Sequence, residues 1–133
     1  MHSPGGGNCI KLSFPVNAAY VSSARLTASS VANRMNFDID EIEDIKTAVS
    51  EACTYFIKTL SSGAKSNFDI NFILNNDSIE INIATQGTLS QSPDDMSLMM
   101  IKAMVDEFKI VSDKKDCVSI NMLKKHKASI FEI

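Results

Sequence analysis

The segment from Asp38 to Leu60 constrains the fold more than any other part of the chain. Asp38 followed by Glu41 is the pattern of a capping box at the start of a helix. Apolar residues then recur every three or four positions, as Ile42, Ile45, Val49, Ala52, Cys53, Phe56, Ile57 and Leu60. Such a wide apolar stripe is typical of a long helix that lies on a sheet.

The segments before this helix predict one strand and one helix. Residues 10–14 alternate between apolar and polar, which predicts a half-buried edge strand that Pro15 ends. Asn17 is a suitable N-cap for a helix with apolar residues three or four apart, and Asn36 closes it.

The second half of the chain predicts two hairpins and a third helix. Residues 68–74 and 79–84 alternate around a turn, and residues 108–112 and 117–123 form a second pair. Ser92 as N-cap and Pro93 at the first helical position predict a helix that reaches about residue 107. This order predicts an α+β fold, a two-layer α/β sandwich with a mixed, mostly antiparallel sheet and helices on one face. Residues 1–9, rich in glycine, are predicted to be a disordered tail, and residues 10–133 a single domain.

Composition excludes several classes of function. The chain has 133 residues, of which 44% are apolar, enough for one core without metal or disulfides. A net charge of −3 argues against direct binding to nucleic acid or membranes. Three cysteines without a C-x-x-C pair indicate reduced thiols and a cytoplasmic protein, and no histidine or cysteine cluster has the spacing of a metal site. The cluster of residues 124–127, Lys-Lys-His-Lys, is interpreted as a solvated strand end.

The stretch from Asp38 to Thr54 resembles the second helix of the bacterial anti-sigma-factor serine kinases, which have the Bergerat, or histidine-kinase-like ATPase, fold. The similarity extends more weakly from about Lys11 to Lys125. In that family this helix carries a catalytic glutamate and, four residues later, an asparagine that holds magnesium. The matching positions here are Glu51 and Tyr55, and a phenol is a poor magnesium ligand.

Two further motifs of the family are altered. An aspartate that binds the adenine amino group is replaced by Thr85, whereas the glycine two residues later is kept as Gly87. The glycine-rich turn that wraps the phosphates is replaced at Asp94, Asp95 and Ser97, so carboxylates stand where a triphosphate would bind. The resemblance therefore implies lost or weakened ATP binding and no expected cofactor.

Four methionines lie on the predicted third helix, at positions 96, 99, 100 and 104. We interpret most of them as core residues between helix and sheet. In the alternative interpretation some of them, together with Tyr55, fill the former nucleotide pocket.

The resemblance implies an anti-sigma-factor-like regulator that binds a sigma factor, a STAS-type anti-anti-sigma protein, or both, with a possible homodimer. Arg25 lies where kinases of this type carry an arginine that reaches the nucleotide and the partner. The alternative is an active serine/threonine kinase that uses Mg-ATP to phosphorylate an anti-anti-sigma protein, with Glu51 as base. A third possibility is a subunit that pairs with an intact kinase homologue.

Overall fold

The computed structural model describes residues 8–60, 66–88, 96–112 and 116–127. In these ranges the chain forms five strands and three α-helices in the predicted order. They are β1 Asn8–Pro15, α1 Val21–Arg34, α2 Ile39–Thr59, β2 Asn67–Leu74, β3 Ser78–Gln86, α3 Met96–Met104, β4 Glu107–Ser112 and β5 Cys117–Lys125. A single 3₁₀ turn, Ala18–Tyr20, precedes α1, and the side chain of Asn17 caps it.

The strands form one sheet in the order β1-β2-β3-β5-β4. Every described pairing is antiparallel, so this sheet contains no parallel pair of the kind that a mixed sheet would have. The β4–β5 hairpin places its second strand beside β3, and β1 joins the sheet through β2. The predicted α+β fold is thus confirmed.

One face of the sheet is covered by the helices. Alternate residues of the three central strands are buried, as the period of two requires. They are Phe68, Ile70 and Phe72 of β2, Ile79, Ile81 and Ile83 of β3, and Val118, Ile120 and Met122 of β5. Buried residues of α1 and α2 complete the core, including Ala28, Ile45, Val49 and Phe56. The molecule is therefore a two-layer α/β sandwich.

The other face of the sheet is polar along its middle. Lys11, Asn71, Asn82, Asn121 and Lys109 occupy matched positions on the five neighbouring strands. The Nδ2 atom of Asn82 donates a hydrogen bond to Oδ1 of Asn121. The Asn82–Asn121 pair fixes the register of β3 against β5 on a face that no helix of the described residues covers.

The start of α2 follows the predicted capping box. Oδ1 of Asp38 accepts a hydrogen bond from the Glu41 amide at 2.8 Å, and Oε1 of Glu41 accepts one from the Asp38 amide at 2.9 Å. Asn36, with φ 63°, ends α1 in the left-handed conformation that asparagine tolerates. The short connection between α1 and α2 is therefore determined by local sequence.

Two predicted boundaries need comment. β1 begins at Asn8, so Asn8 and Cys9 pair with β2 and do not belong to a disordered tail. Their backbone groups continue the ladder that residues 10–14 begin, although their side chains are exposed. Residues 1–7, and the predicted helix start at Ser92 and Pro93, lie outside the described residues.

The interpretation of most α3 methionines as core is wrong for two of them. Met96 is 67% exposed and Met99 65% exposed, while Met100 and Met104 are half-buried. The residues that α3 buries are Ser97 and Ile101, which lie one turn apart on one face of the helix. The methionines recur with a similar spacing but are out of phase with that face.

Candidate functional site

Helix α2 places Glu51 and Tyr55 one turn apart. Glu51 is half-buried, whereas Tyr55 is only 4% exposed and belongs to the core. The ring centroid of Tyr55 lies 6.1 Å from that of Phe56, and its carbonyl accepts a hydrogen bond from the Thr59 hydroxyl at 2.7 Å. The phenol side chain of Tyr55 is therefore packed in the core beside its neighbours on α2.

The end of β3 presents Thr85 on the helix-facing side of the sheet. Thr85 is 2% exposed, and its Oγ1 atom lies 3.1 Å from Oγ of Ser66. The Ser66 hydroxyl also lies 3.3 Å from the carbonyl oxygen of Gln86. A pair of hydroxyl groups thus occupies the position where the sequence resemblance places an adenine-binding carboxylate.

A depression of about 330 Å³ adjoins this hydroxyl pair. It is lined by the polar residues Ser66, Asn67, Asp69, Thr85 and Gln86, together with Ala84 and Cys117. Sequence reasoning did not identify Ser66, because it lies just before β2, outside every motif and every periodic segment. Its role is visible only when the ends of β2 and β3 are seen side by side.

Gly87 follows β3 and lies against the end of α2. Its φ is +136°, a conformation that favours glycine, and a Cβ atom there would lie 2.9 Å from Cδ2 of Leu60. Its amide donates a hydrogen bond to the Asp116 carbonyl at 2.5 Å. The structure therefore gives Gly87 a role in packing that requires no ligand.

The remaining predicted site residues lie on α3 and α1. Ser97 is 3% exposed within α3, which packs on α2, whereas Asp94 and Asp95 lie outside the described residues. Arg25 is half-buried on α1, and the neighbouring Leu26 is 69% exposed. The structure thus places Thr85 and Gly87 near the end of α2, and Arg25 on a separate helix.

Burial also determines the chemistry of the polar groups in the core. Within the described ranges, no fully buried side-chain oxygen or nitrogen lacks a hydrogen-bond partner. Thr59, Thr85 and Ser97 are all buried polar residues and come under this statement. Desolvation raises the pKa of the buried Cys53 thiol to about 12, so this group is a neutral core residue.

The donor chemistry does not favour a magnesium site at the α2 pair. Magnesium prefers carboxylate and amide oxygens, and of the two side chains only that of Glu51 offers one. In the part of the chain that the structure describes, no group of three or more His, Cys, Asp or Glu residues could hold a metal ion. Among the same residues, no helix has the length and apolar character needed to cross a membrane.

An antiparallel five-stranded sheet with helices on one face, the longest of which carries Glu51, is consistent with one class of protein, the histidine-kinase-like ATPase fold. A family model described as the histidine kinase-like ATPase domain matches residues 14–124. The chain belongs to this family.

Its relatives include serine-protein kinases named RsbW. The protein of Bacillus velezensis is 32% identical over 125 residues, which cover 78% of each chain. Those of Bacillus cereus strain ATCC 10987 and Bacillus mycoides are 42% and 41% identical over 78 residues, which cover 59% of this chain and 49% of each relative. The chain thus spans about half the length of these two relatives.

Proposed function

We propose that the chain is an anti-sigma-factor-like regulator that binds a sigma factor, a STAS-type anti-anti-sigma protein, or both, and that its ATP binding is lost or weakened. The observation that carries this proposal is the pair of hydroxyl groups formed by the buried Thr85 and the half-buried Ser66, with their oxygens 3.1 Å apart. Thr85 already has an internal partner, lacks a charge, and is shorter than aspartate. An adenine amino group left without a good acceptor loses about 1–3 kcal/mol.

The burial of Tyr55 in α2 supports the same conclusion. A side chain that is 4% exposed has little freedom to turn toward a ligand. Its phenol is protonated at neutral pH and coordinates magnesium poorly. Glu51 would then remain without the metal that a kinase places beside the phosphates.

The predicted change in the phosphate-binding turn points the same way. Asp95 and Ser97 stand at glycine positions of the family, and a carboxylate at the start of a helix competes with a phosphate for the same favourable dipole. Ser97 is buried. We therefore propose that Asp95 and Ser97, together with Glu51, Tyr55, Thr85 and Gly87, are what the sequence retains of the family's nucleotide pocket.

A protein partner is favoured by the exposed surface of α1. Leu26, 69% exposed, lies next to Arg25, so an apolar group and a cation are presented together. Arginine is enriched in protein interfaces, and a large exposed apolar side chain is stabilised when a partner buries it. The proposed partner is a cytoplasmic transcription regulator, and a homodimer is also part of this proposal.

Calorimetric titration of the purified protein with Mg-ATP, together with thermal melts, tests the proposal. A ligand at 100 times its Kd stabilises a fold by about 2.7 kcal/mol, which a melt detects readily. We expect no heat of binding and no shift in Tm. Micromolar binding with a raised Tm would overturn the loss of ATP binding.

A double variant tests the stated cause. Thr85→Asp with Tyr55→Asn reintroduces the family's residues at both positions, and we expect measurable Mg-ATP binding in the folded variant. Thr85→Val with Tyr55→Phe is the matched control, because it alters the same positions without adding an acceptor. Equal behaviour of the two double variants would show that these positions do not determine nucleotide affinity.

The second candidate is an active serine/threonine kinase with Mg-ATP as cofactor. The retained Glu51 and the kinase names of the relatives favour it. Transfer of labelled phosphate from ATP to a STAS-type protein, abolished by Glu51→Gln, would establish this activity. Absence of transfer together with stable binding of the same STAS protein would support the regulator.

A further inference from the structure

Four residues at the end of β5 tie together parts of the molecule that are distant in sequence. We call residues 124–127 the C-terminal strap. Nζ of Lys124 lies 3.1 Å from Oδ2 of Asp44 and 2.8 Å from the carbonyl oxygen of Met104. The amide of Lys125 donates to Oδ2 of Asp106 at 2.7 Å.

The last strap residue contacts the first turn of α2. The amide of Lys127 donates to Oε2 of Glu41 at 2.6 Å, and Nζ of Lys127 lies 3.7 Å from Oδ2 of Asp38. Glu41 has 0% exposure, and its other oxygen closes the capping box. One buried carboxylate therefore joins the start of α2 to the strap.

His126 covers the connection between α1 and α2. Its ring stacks on Phe37 with centroids 5.0 Å apart and an interplanar angle of 21°. Its Nε2 atom lies 2.8 Å from the Asn36 carbonyl oxygen, and its amide donates to the Asp77 carbonyl at 2.8 Å. Phe37 is 4% exposed under this ring, whereas Ile39, two residues later, is 78% exposed.

We propose that the two strap residues that follow β5, His126 and Lys127, form a latch on the start of α2, which opens without unfolding of the sheet. Opening would break the bond from the Lys127 amide to Glu41 and the contact of His126 with the Asn36 carbonyl. It would also expose Phe37, which is two residues from the exposed Ile39.

We expect the latch to open independently of the sheet, because the two are held by different kinds of contact. The latch contacts of His126 and Lys127 are hydrogen bonds, an ion pair and one ring stack near the surface. The sheet is held by continuous backbone pairing and by the buried alternate residues of its central strands, and separating these strands would expose core residues. Units with few buried apolar contacts open at lower free energy than the core. This inference goes beyond the proposed function and does not depend on it.

Hydrogen exchange of the full chain tests the latch. The variant Lys127→Pro lacks the amide that Glu41 accepts, and His126→Ala lacks the ring over Phe37. We expect exchange of residues 36–45 to rise roughly tenfold or more in each, because a hydrogen bond to a charged group or a ring stack is lost. Exchange of residues 67–86 in β2 and β3 should stay unchanged. Lys127→Ala, which keeps the amide, is the matched control and should stay within about twofold of the wild type.

The wild-type protein supplies a test that needs no variant. In low concentrations of guanidinium chloride, local opening should give residues 36–45 a weak dependence of exchange on denaturant, and residues 67–86 a strong one. Equal dependence in both segments would overturn the latch, since they would then open as one unit. An unchanged rate for residues 36–45 in both Lys127→Pro and His126→Ala would overturn it as well.

Discussion

Gly87 and Leu60 lie in contact where the end of β3 meets the end of α2. A Cβ atom at residue 87 would be 2.9 Å from Cδ2 of Leu60, at a φ of +136°. The position therefore demands glycine twice, once for space and once for backbone conformation.

We expect Gly87→Ala to lower the free energy of unfolding by about 1–3 kcal/mol, because it adds both a clash and backbone strain. Denaturant unfolding measures this. Adding Leu60→Ala to the variant should relieve the clash and leave the strain, so the two changes should be non-additive. A fully neutral Gly87→Ala would mean that the glycine has no structural role here.

Lys124 should contribute to stability much more than its neighbour. Its side chain is 13% exposed and bonds both Asp44 and the last turn of α3. We expect Lys124→Met to lower the free energy of unfolding by about 1–3 kcal/mol, as the Asp44 carboxylate and the Met104 carbonyl lose a charged donor. Lys125→Met is the control, with an effect within about 0.5 kcal/mol, since residue 125 is exposed and bonds through its amide. Equal losses in both would contradict this assignment.

Acid should weaken the start of α2 through Asp38. The hydrogen bond from the Glu41 amide, assisted by Lys127, lowers the pKa of Asp38 below its ordinary value of 3.8. A carboxyl whose pKa is lower in the folded state stabilises the fold above the unfolded pKa, and this contribution is lost as the pH falls through the folded pKa.

The variant Asp38→Asn keeps a good N-cap but cannot titrate. We expect its stability to change less than that of the wild type between pH 5 and pH 2, as followed by thermal melts. Parallel pH profiles for the two proteins would show that Asp38 makes no contribution to the acid response.

Cys9 and Cys53 should differ in their reactivity toward alkylating reagents. Cys9 is exposed, whereas Cys53 is fully buried and its pKa is raised to about 12. At pH 8 only roughly one part in ten thousand of Cys53 would be thiolate even without the steric barrier. Mass spectrometry should find rapid modification of Cys9, and of Cys53 only after denaturation. Modification of native Cys53 at the rate of Cys9 would mean that the α2 core opens readily.

Substitutions at Arg25 and at Glu51 should have different effects on the affinity for a protein partner. Arg25→Glu should weaken binding to a STAS-type protein from the same organism at least tenfold, because it reverses a charge next to the exposed Leu26. Glu51→Gln should leave that affinity within about twofold if the protein acts only as a binder. Isothermal titration gives both values, and the opposite pattern would remove Arg25 from the interface.

Local signals in the sequence sufficed for most of the fold. The capping box at Asp38, the stripe of α2 and the alternation in β2, β3 and β5 each depend on neighbours close in the chain, and the structure has all of them. The family resemblance then supplied the positions of Glu51, Thr85 and Gly87.

What the sequence did not reveal depends on contacts between distant residues. The basic cluster at residues 124–127 was expected to be a solvated strand end, but Lys124 is largely buried and His126 stacks on Phe37. Ser66 gives no sign in the sequence that it will meet Thr85. Hydrophobicity alone does not show which face of α3 is buried, and Met96 and Met99 lie on its exposed side.

The position of β1 at the edge of the sheet has a consequence for the order of folding. β2 pairs with β3, and β4 with β5, across short connections. The chain between β1 and its partner β2 is much longer, because it contains both α1 and α2. Closing a long loop is slower than closing a short one, because more chain entropy is lost before any contact is gained. The two hairpins and α2 are therefore expected to form first, and β1 is expected to pair with β2 in a later folding step.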